Sequence, residues 1–336
     1  MRAGRALAAA GLVLLASCGR PPAGAESTPA PAAVAQAAPA AVPAVPAVAP
    51  PPLPADGGPG TFDADRAWAH LRNQVSLGPR PAGSRAAAAT RQYIRDALAQ
   101  AGLAVREQAF EPDTPLGPMP MANLVATLPG RRDARIALAS HYDTKRFREF
   151  PFVGASDGAS STAVLLELAR VLARESHEFT IEFLFFDGEE AVLREWAGTD
   201  NTYGSRHYVT EAQASGALEN LGALVLLDMV GDRDLAFRRE AGSTPWLTDL
   251  IWAAAHRVGY GGVFLDASTP IEDDHYPFLR AGVPATDIID LDYPAWHTAA
   301  DDLPRVSARS LEITGQVVLA ALPDIEQYLA GQAPLP

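Results

Sequence analysis

Two adjacent carboxylates, Glu189 and Glu190, follow the run Phe185-Phe186-Asp187-Gly188 and are the side chains best placed for chemistry. Side by side and away from water they repel each other, and burying both is costly unless a cation neutralises one. A metal-bound Glu190 beside a proton-carrying Glu189 meets that requirement. A solvated pair on a loop avoids the cost altogether and is the plainer reading of the pair alone. Further ligand-type and acid–base groups recur: His141 and Asp143, Asp157, Asp228, and His297 directly after Trp296. A His/Asp/Glu set without cysteine suits zinc in a catalytic site with positions open for water or substrate. Alone, His141 reads as a structural histidine and Asp228 as a strand terminator. Their joint occurrence at element ends carries the weight.

Those side chains need strands to bring them together. The apolar runs Ile136–Ser140, Thr180–Phe186, Leu221–Leu227 and Ala285–Ile289 read as buried strands. They end at His141-Tyr142-Asp143, at the turn Asp187-Gly188, at Asp228, and ahead of Trp296-His297. Parallel strands place such carboxyl ends on one edge, where open α/β sheets put their ligands. Helices are expected over 62–77, Ser84–Ala101 (Ser84 as N-cap, Gly102 closing it), Gly158–Ala173, Trp246–Val258, Asp273–Ala281 and Ser307–Leu329. Val105–Phe110, Ala122–Leu128 and Val263–Leu265 read as further strands. The alternation predicts a three-layer α/β/α sandwich with a mixed, largely parallel central sheet, occupying residues 62–331.

The chain has 336 residues with 40 acidic and 27 basic side chains, a formal charge of -13. That balance argues against nucleic acid, whose binders need a basic stripe. Arg2 and Arg5 precede an apolar stretch over 7–16 that is too short to span a membrane. Leu15-Ala16-Ser17-Cys18 resembles a bacterial lipobox, which makes 1–18 a signal segment and Cys18 a lipidation site. The alternative is an ordinary secretory signal with an incidental cysteine. Cys18 is the only cysteine, which rules out an intramolecular disulfide and a cysteine-based zinc site. Gly19 follows it, so no signal for inner-membrane retention is expected. The expectation is an exported bacterial lipoprotein, periplasm-facing or at the outer membrane, touching the membrane only through its anchor. Residues 19–61 are Pro/Ala-rich and read as an extended tether. A monomer is expected.

Longer words in the sequence carry a resemblance. These are His141-Tyr142-Asp143-Thr144-Lys145; Asp187-Gly188-Glu189-Glu190-Ala191 with Trp196; Tyr203-Gly204-Ser205-Arg206-His207; Asp273-Asp274-His275-Tyr276-Pro277-Phe278-Leu279-Arg280; and Tyr293-Pro294-Ala295-Trp296-His297-Thr298. Over residues 62–329 the chain resembles the zinc-dependent exopeptidase superfamily and, within it, the glutaminyl-peptide cyclotransferases. The resemblance implies an acyltransferase that converts the N-terminal glutamine of peptides or proteins to pyroglutamate and releases ammonia. It implies one zinc ion held by Asp157, Glu190 and His297, with Glu189 as general acid/base. Asp228 and Asp273 would form a hydrogen-bonded carboxylate pair near Glu189. Trp196, Trp296 and Tyr293 would wall a small substrate pocket. Asp287 stands where animal cyclases have a His, and Glu272 where they have a Gln. One rival is a di-zinc aminopeptidase of the same superfamily, in which His141 and Asp228 also ligate metal. Another is an inactive surface lipoprotein that binds peptides on the same scaffold.

Overall fold

Strands and helices alternate from Ala64 onward. Helices α1 (Ala64–Ser76) and α2 (Arg85–Gln100) precede strand β1 (Val105–Phe110), a small hairpin of β2 (Asp113–Thr114) and β3 (Gly117–Pro118), then β4 (Met121–Leu128) and β5 (Arg132–His141). Next come α3 (Ala159–Leu172), β6 (Phe179–Phe186), α4 (Tyr203–Ala214) and β7 (Leu221–Asp228). The chain continues through β8 (Phe237–Glu240), α5 (Pro245–Arg257), β9 (Phe264–Thr269), α6 (Tyr276–Arg280), β10 (Ala285–Ile289) and α7 (Ala308–Ala330). This computed structural model describes Leu53 and residues 60–332. The chain divides into the units Met1–Pro46 and Ala47–Pro336. The first lies outside the described residues, as do Cys18, the expected signal segment and nearly all of the expected tether.

The main sheet has the order β1-β4-β6-β5-β7-β10. Strands β6, β5, β7 and β10 run parallel; β4 pairs antiparallel with β6, and β1 antiparallel with β4. Side chains alternate between the two faces, as the two-residue period of a strand requires. Ile136, Leu138, Phe183, Phe185, Val225 and Leu227 join a core with α1, α2, α3, α5 and α7. Ala137, Ala139, Leu184, Phe186, Leu224 and Leu226 join a second core with α4 and α6. The result is the expected three-layer sandwich. Strands β6 and β7 are buried along their whole length, and for that reason β7 and the second half of β6 are continuous apolar runs, while Thr180 and Glu182 alternate with apolar residues in the first half of β6. Helix α3 is buried at every position and fills the space under the parallel strands.

Helix starts follow their caps. Ser84 accepts a hydrogen bond from the Ala87 amide as expected, and Gly102 comes directly after the cap residue Ala101. Asp63 accepts from the amides of Asp65 and Arg66, so α1 begins at Ala64 and leaves Phe62 to the core. Helix α4 was not expected. Its apolar stripe is only Tyr203, Tyr208, Val209 and Ala212, and Thr202 ahead of it makes no side-chain cap. Strand β8, parallel to β9, was also missed; its centre is Arg238-Arg239, both ion-paired at the surface. Strand β9 extends to Thr269 rather than ending at Leu265. Helix α6 starts at Tyr276, so Asp273 and Asp274 stand in the turn before it. Among the described residues no helix is long and apolar enough to cross a membrane.

Candidate active site

The parallel strands deliver their residues to one edge of the sheet. Strand β5 ends at His141 and β7 at Asp228; Glu189 and Glu190 leave β6 through the Asp187-Gly188 turn. Asp157 precedes α3, and His297 lies in the segment after β10. Two glycines permit this close approach. Gly188 has φ +70, and a Cβ there would sit 2.5 Å from the Met121 sulfur. Gly158 has φ +88, and its Cβ would meet the Asp143 carbonyl oxygen at 2.6 Å and the His141 ring at 3.0 Å. Met229 and His297 adopt left-handed conformations without being glycine, at φ 47 and φ 53. Such backbones persist only where the surroundings fix them, and they collect at functional sites.

Three side chains act as backbone anchors, and sequence reasoning assigned none of them that part. Asp143 accepts from the amides of Glu189 (3.1 Å) and Glu190 (3.4 Å), which sets the turn carrying both carboxylates. Asp301 accepts from the amides of Ser156 (2.8 Å) and Asp157 (3.1 Å) and from the Tyr293 hydroxyl (2.8 Å). It joins the Asp157 loop to the segment that carries His297. Arg80 is fully buried and donates to the carbonyls of Tyr142, Val153 and Gly154, tying the end of β5 to the same loop. The available signals were an acid two residues after His141, an acid four residues after His297, and an arginine between two prolines.

The donors fall into two overlapping groups. Asp157, Glu190 and His297 present one ligand atom each within 4.8 Å of one another, and so do His141, Asp157 and Asp228. His297 Nε2 lies 3.2 Å from Glu190 Oε1 and 3.4 Å from Asp157 Oδ2. His141 Nε2 lies 3.0 Å from Asp228 Oδ1 and 3.4 Å from Asp157 Oδ1. The buried Lys145 places its ammonium 3.5 Å from Glu190 Oε2. Asp157 Oδ2 is buried without a hydrogen-bond partner. A bound cation would supply that partner, so the donor set fits a metal ion. Asp228 and Asp273 do not form the expected hydrogen-bonded pair. Asp228 is engaged by His141 and by the Met229 amide, and Asp273 Oδ2 has no partner, so the two carboxylates meet only through repulsion.

Burial dominates the electrostatics. It lifts Glu189 well above the ordinary carboxylate range; His141 pulls the other way, while Glu190, Asp273 and Asp274 add to the rise. Glu190 is also raised, by burial and Asp157, with His297 and Lys145 opposing. Burial and Asp228 raise Asp273 to about 6. Burial works against a charged His297, but Asp157 and Glu190 outweigh it and push the imidazole up to about 10. Asp157 is held low despite its burial because His141 and His297 both favour its charge.

A cleft of about 420 Å³ opens over these groups, and Glu189, Glu190, Asp273 and His297 form part of its lining. Trp196 and Trp296 wall it, 36% and 43% exposed. Trp296 stacks on His297 at 4.3 Å, while Phe147 and Phe152 meet the same imidazole edge-on. Tyr293 is not part of the wall. It is buried, and its hydroxyl is spent on Asp301. Glu272 reaches the cleft rim and is paired with Arg280. Asp287 is fully buried and does not line the cleft. A larger depression of about 600 Å³, lined in part by the stacked Trp246 and Tyr328, holds neither an imidazole nor paired carboxylates, so the chemistry belongs to the cleft.

Comparison with known proteins places this arrangement. Residues 123–322 match peptidase family M28. A mouse (Mus musculus) glutaminyl-peptide cyclotransferase-like protein is 34% identical over 272 residues, covering 72% of this chain and 70% of that protein. The crystal structure of an Acidobacteriales bacterium glutaminyl cyclase is 37% identical with a TM-score of 0.77, covering 83% of this chain and 99% of that one. The structure of a leucine aminopeptidase precursor from Bacteroides thetaiotaomicron is 30% identical with a TM-score of 0.72, covering 78% of this chain and 97% of that one. With its family match inside the sandwich and its long alignment to a cyclotransferase relative, the chain belongs to peptidase family M28 and, within it, to the glutaminyl-peptide cyclotransferases.

Proposed function

We propose that the protein cyclises the N-terminal glutamine of peptides or proteins to pyroglutamate, releasing ammonia, with one zinc ion held by Asp157, Glu190 and His297. The observation that carries this reading is the small cleft in which an uplifted Glu189 and the Asp157–Glu190–His297 donors face two tryptophans. Bound there, zinc would act as a Lewis acid toward the side-chain amide carbonyl. The chain's own residues do the rest. Trp196 and Trp296 confine the short side chain so that the amine folds back onto its own amide. The amine nitrogen forms a bond to the amide carbon, and the bond from that carbon to the amide nitrogen breaks. Glu189 takes a proton from the attacking amine and returns it to the departing nitrogen, which leaves as ammonia. A carboxylate with an ordinary pKa would be a poor donor in the second half; burial corrects this. Lys145 and His297 favour the charged form of Glu190 and oppose the rise that burial and Asp157 give it. Asp273 adds negative charge beside Glu189 and sustains its raised pKa.

The test is to incubate a glutamine-initiated peptide with the protein and weigh the product, with an aminopeptidase substrate alongside. Loss of one ammonia from an intact chain is expected. Release of the whole first residue would replace this reading with the aminopeptidase one. One observation favours that second reading: His141 and Asp228 share Asp157 with the first donor group, as a second metal would require. His141→Ala separates the two. Metal content should stay near that of the wild type for the mononuclear enzyme and fall by about half for the dinuclear one.

We also propose export with lipid attachment at Cys18, supported by the lipobox-like residues Leu15 to Cys18. Labelling with a fatty acid should be lost in Cys18→Ser; unchanged labelling would refute attachment there.

A further inference from the structure

The two tryptophan walls of the cleft are held differently. Trp296 stacks on His297, whereas Trp196 stands in a loop that is exposed from 193 to 199. Left to itself such a loop would let the indole wander, because ordering each residue costs about 1–2 kcal/mol of backbone entropy. The Arg194–Glu149 ion pair is exposed at both ends, and pairs of that kind contribute little. A firmer fastening is needed if Trp196 is to confine a substrate.

That fastening lies at the two ends of the loop, which the buried Asp200 draws together. Its Oδ1 accepts from the Val192 amide (3.0 Å) and its Oδ2 from the Leu193 amide (2.9 Å). The Tyr203 hydroxyl also donates to Oδ1, at 2.7 Å. Burial, and then Asp200, raise that hydroxyl above its usual range, so it stays protonated and donates. Arg206 lies over the Tyr203 ring, 5.0 Å from its centroid, and donates to the carbonyls of Thr199 and Asn201, each at 2.7 Å. Both ends of the loop are thus closed onto the first turn of α4. This turn is in its own right fixed to the strand end that carries Glu189. The amides of Thr202 and Tyr203 donate to the carbonyls of Glu189 and Gly188, both at 2.8 Å. Gly204 comes so close that a Cβ there would sit 2.6 Å from the Asp187 carbonyl oxygen. Thr202 is left-handed at φ 45 without being glycine, a backbone that only its surroundings can hold. The Tyr203-Gly204-Ser205-Arg206 word, which the chemistry above leaves unused, acquires a task here.

We propose that Asp200 is a positioning residue which, with Tyr203 and Arg206, clasps the 193–199 loop and holds Trp196 in place as a wall of the cleft. The inference rests on the reading of Trp196 as the residue that confines the substrate's glutamine. Asp200 does not line the cleft, so it acts through Trp196 and not on the substrate.

The experiment uses four full-length proteins: wild type, Asp200→Ala, Trp196→Ala and the double variant. With a glutamine-initiated peptide, each single variant should lower kcat/KM by about 10–100-fold. The double variant should fall no further than Trp196→Ala alone, because the clasp then has nothing to hold. Losses that multiply in the double variant would overturn the proposal, since Asp200 would then serve the Glu189 turn or the fold at large. The same four proteins report on the indole directly. Acrylamide quenching of Trp196 is the difference between a protein that has Trp196 and its Trp196→Ala counterpart, and it should grow in Asp200→Ala. Unchanged quenching would refute the clasp whatever the protein does to glutamine. A wild type that leaves the peptide uncyclised would overturn the proposed function, and the quenching result would then decide the clasp by itself. Should Asp200→Ala not fold, Tyr203→Phe takes its place in both readouts, with a smaller loss expected and the same outcomes deciding.

Discussion

Glu189 and Glu190 are neighbours in the chain, yet their surroundings give them different work. Glu190 has Lys145 and His297 within 3.5 Å and so keeps company with positive charge. Burial raises the proton affinity of Glu189, with Glu190, Asp273 and Asp274 adding to the rise and His141, 3.7 Å away, opposing it. Glu189→Gln should therefore cost about 10²–10⁴-fold in kcat, with metal content unchanged by elemental analysis. Normal turnover in that variant would remove Glu189 from the reaction. Asp143 acts one step back. Asp143→Ala leaves two buried amides without acceptors, at about 1–3 kcal/mol each. We expect kcat to fall more than KM rises, with partial rescue by Asp143→Asn, which keeps one acceptor oxygen. Equal loss in the Asn variant would argue against positioning. The ligand-type residues were legible because histidines and paired acids at strand ends are conspicuous. Asp143, Asp301 and Arg80 were not, because a side chain that serves backbone amides and carbonyls across a fold leaves no local pattern. Tyr293 was misplaced for a related reason: its partner, Asp301, is visible only in three dimensions.

At the scale of elements, what could be read followed burial. The parallel strands β5, β6, β7 and β10 are apolar enough to announce themselves, and each ends at or shortly before a functional residue. Helix α4 and strand β8 pack through a few side chains and carry charge, so tertiary contact rather than local pattern decides them. The packing of α1 against α2 yields a pH dependence. His70 on α1 is buried, with Nδ1 2.7 Å from the Tyr93 hydroxyl on α2. Burial, aided by Arg66 and Arg170, lowers its pKa from 6.5 to about 3. The unfolded chain takes up this proton below 6.5 and the folded chain refuses it until about 3. Its contribution is thus intact above 6.5 and declines as pH falls toward 3. Urea unfolding at neutral pH and near pH 5 should show wild type losing about 2 kcal/mol more than His70→Gln over that interval. Equal losses would show that His70 is not the group responsible.

For the molecule as a whole, the donor groups come from distant stretches of chain, so the proposed metal would bind only the folded chain and would stabilise it. A chelator should lower the melting temperature reversibly. An ion present at a thousandfold excess over its dissociation constant contributes about 4 kcal/mol. An unmoved melting curve, with metal loss verified, would show that the sandwich stands without it. The same long reach sets an order of events during synthesis. Asp157 and its clasp Asp301 are 144 residues apart. At about 5–20 residues per second, the loop waits on the order of ten seconds for the carboxylate that fastens it. Within that interval the emerging chain gains both glutamates, then Asp228, and His297 only four residues before its end. Competence is thus among the last properties this polypeptide acquires, and a chain interrupted before His297 is left inert rather than partly active.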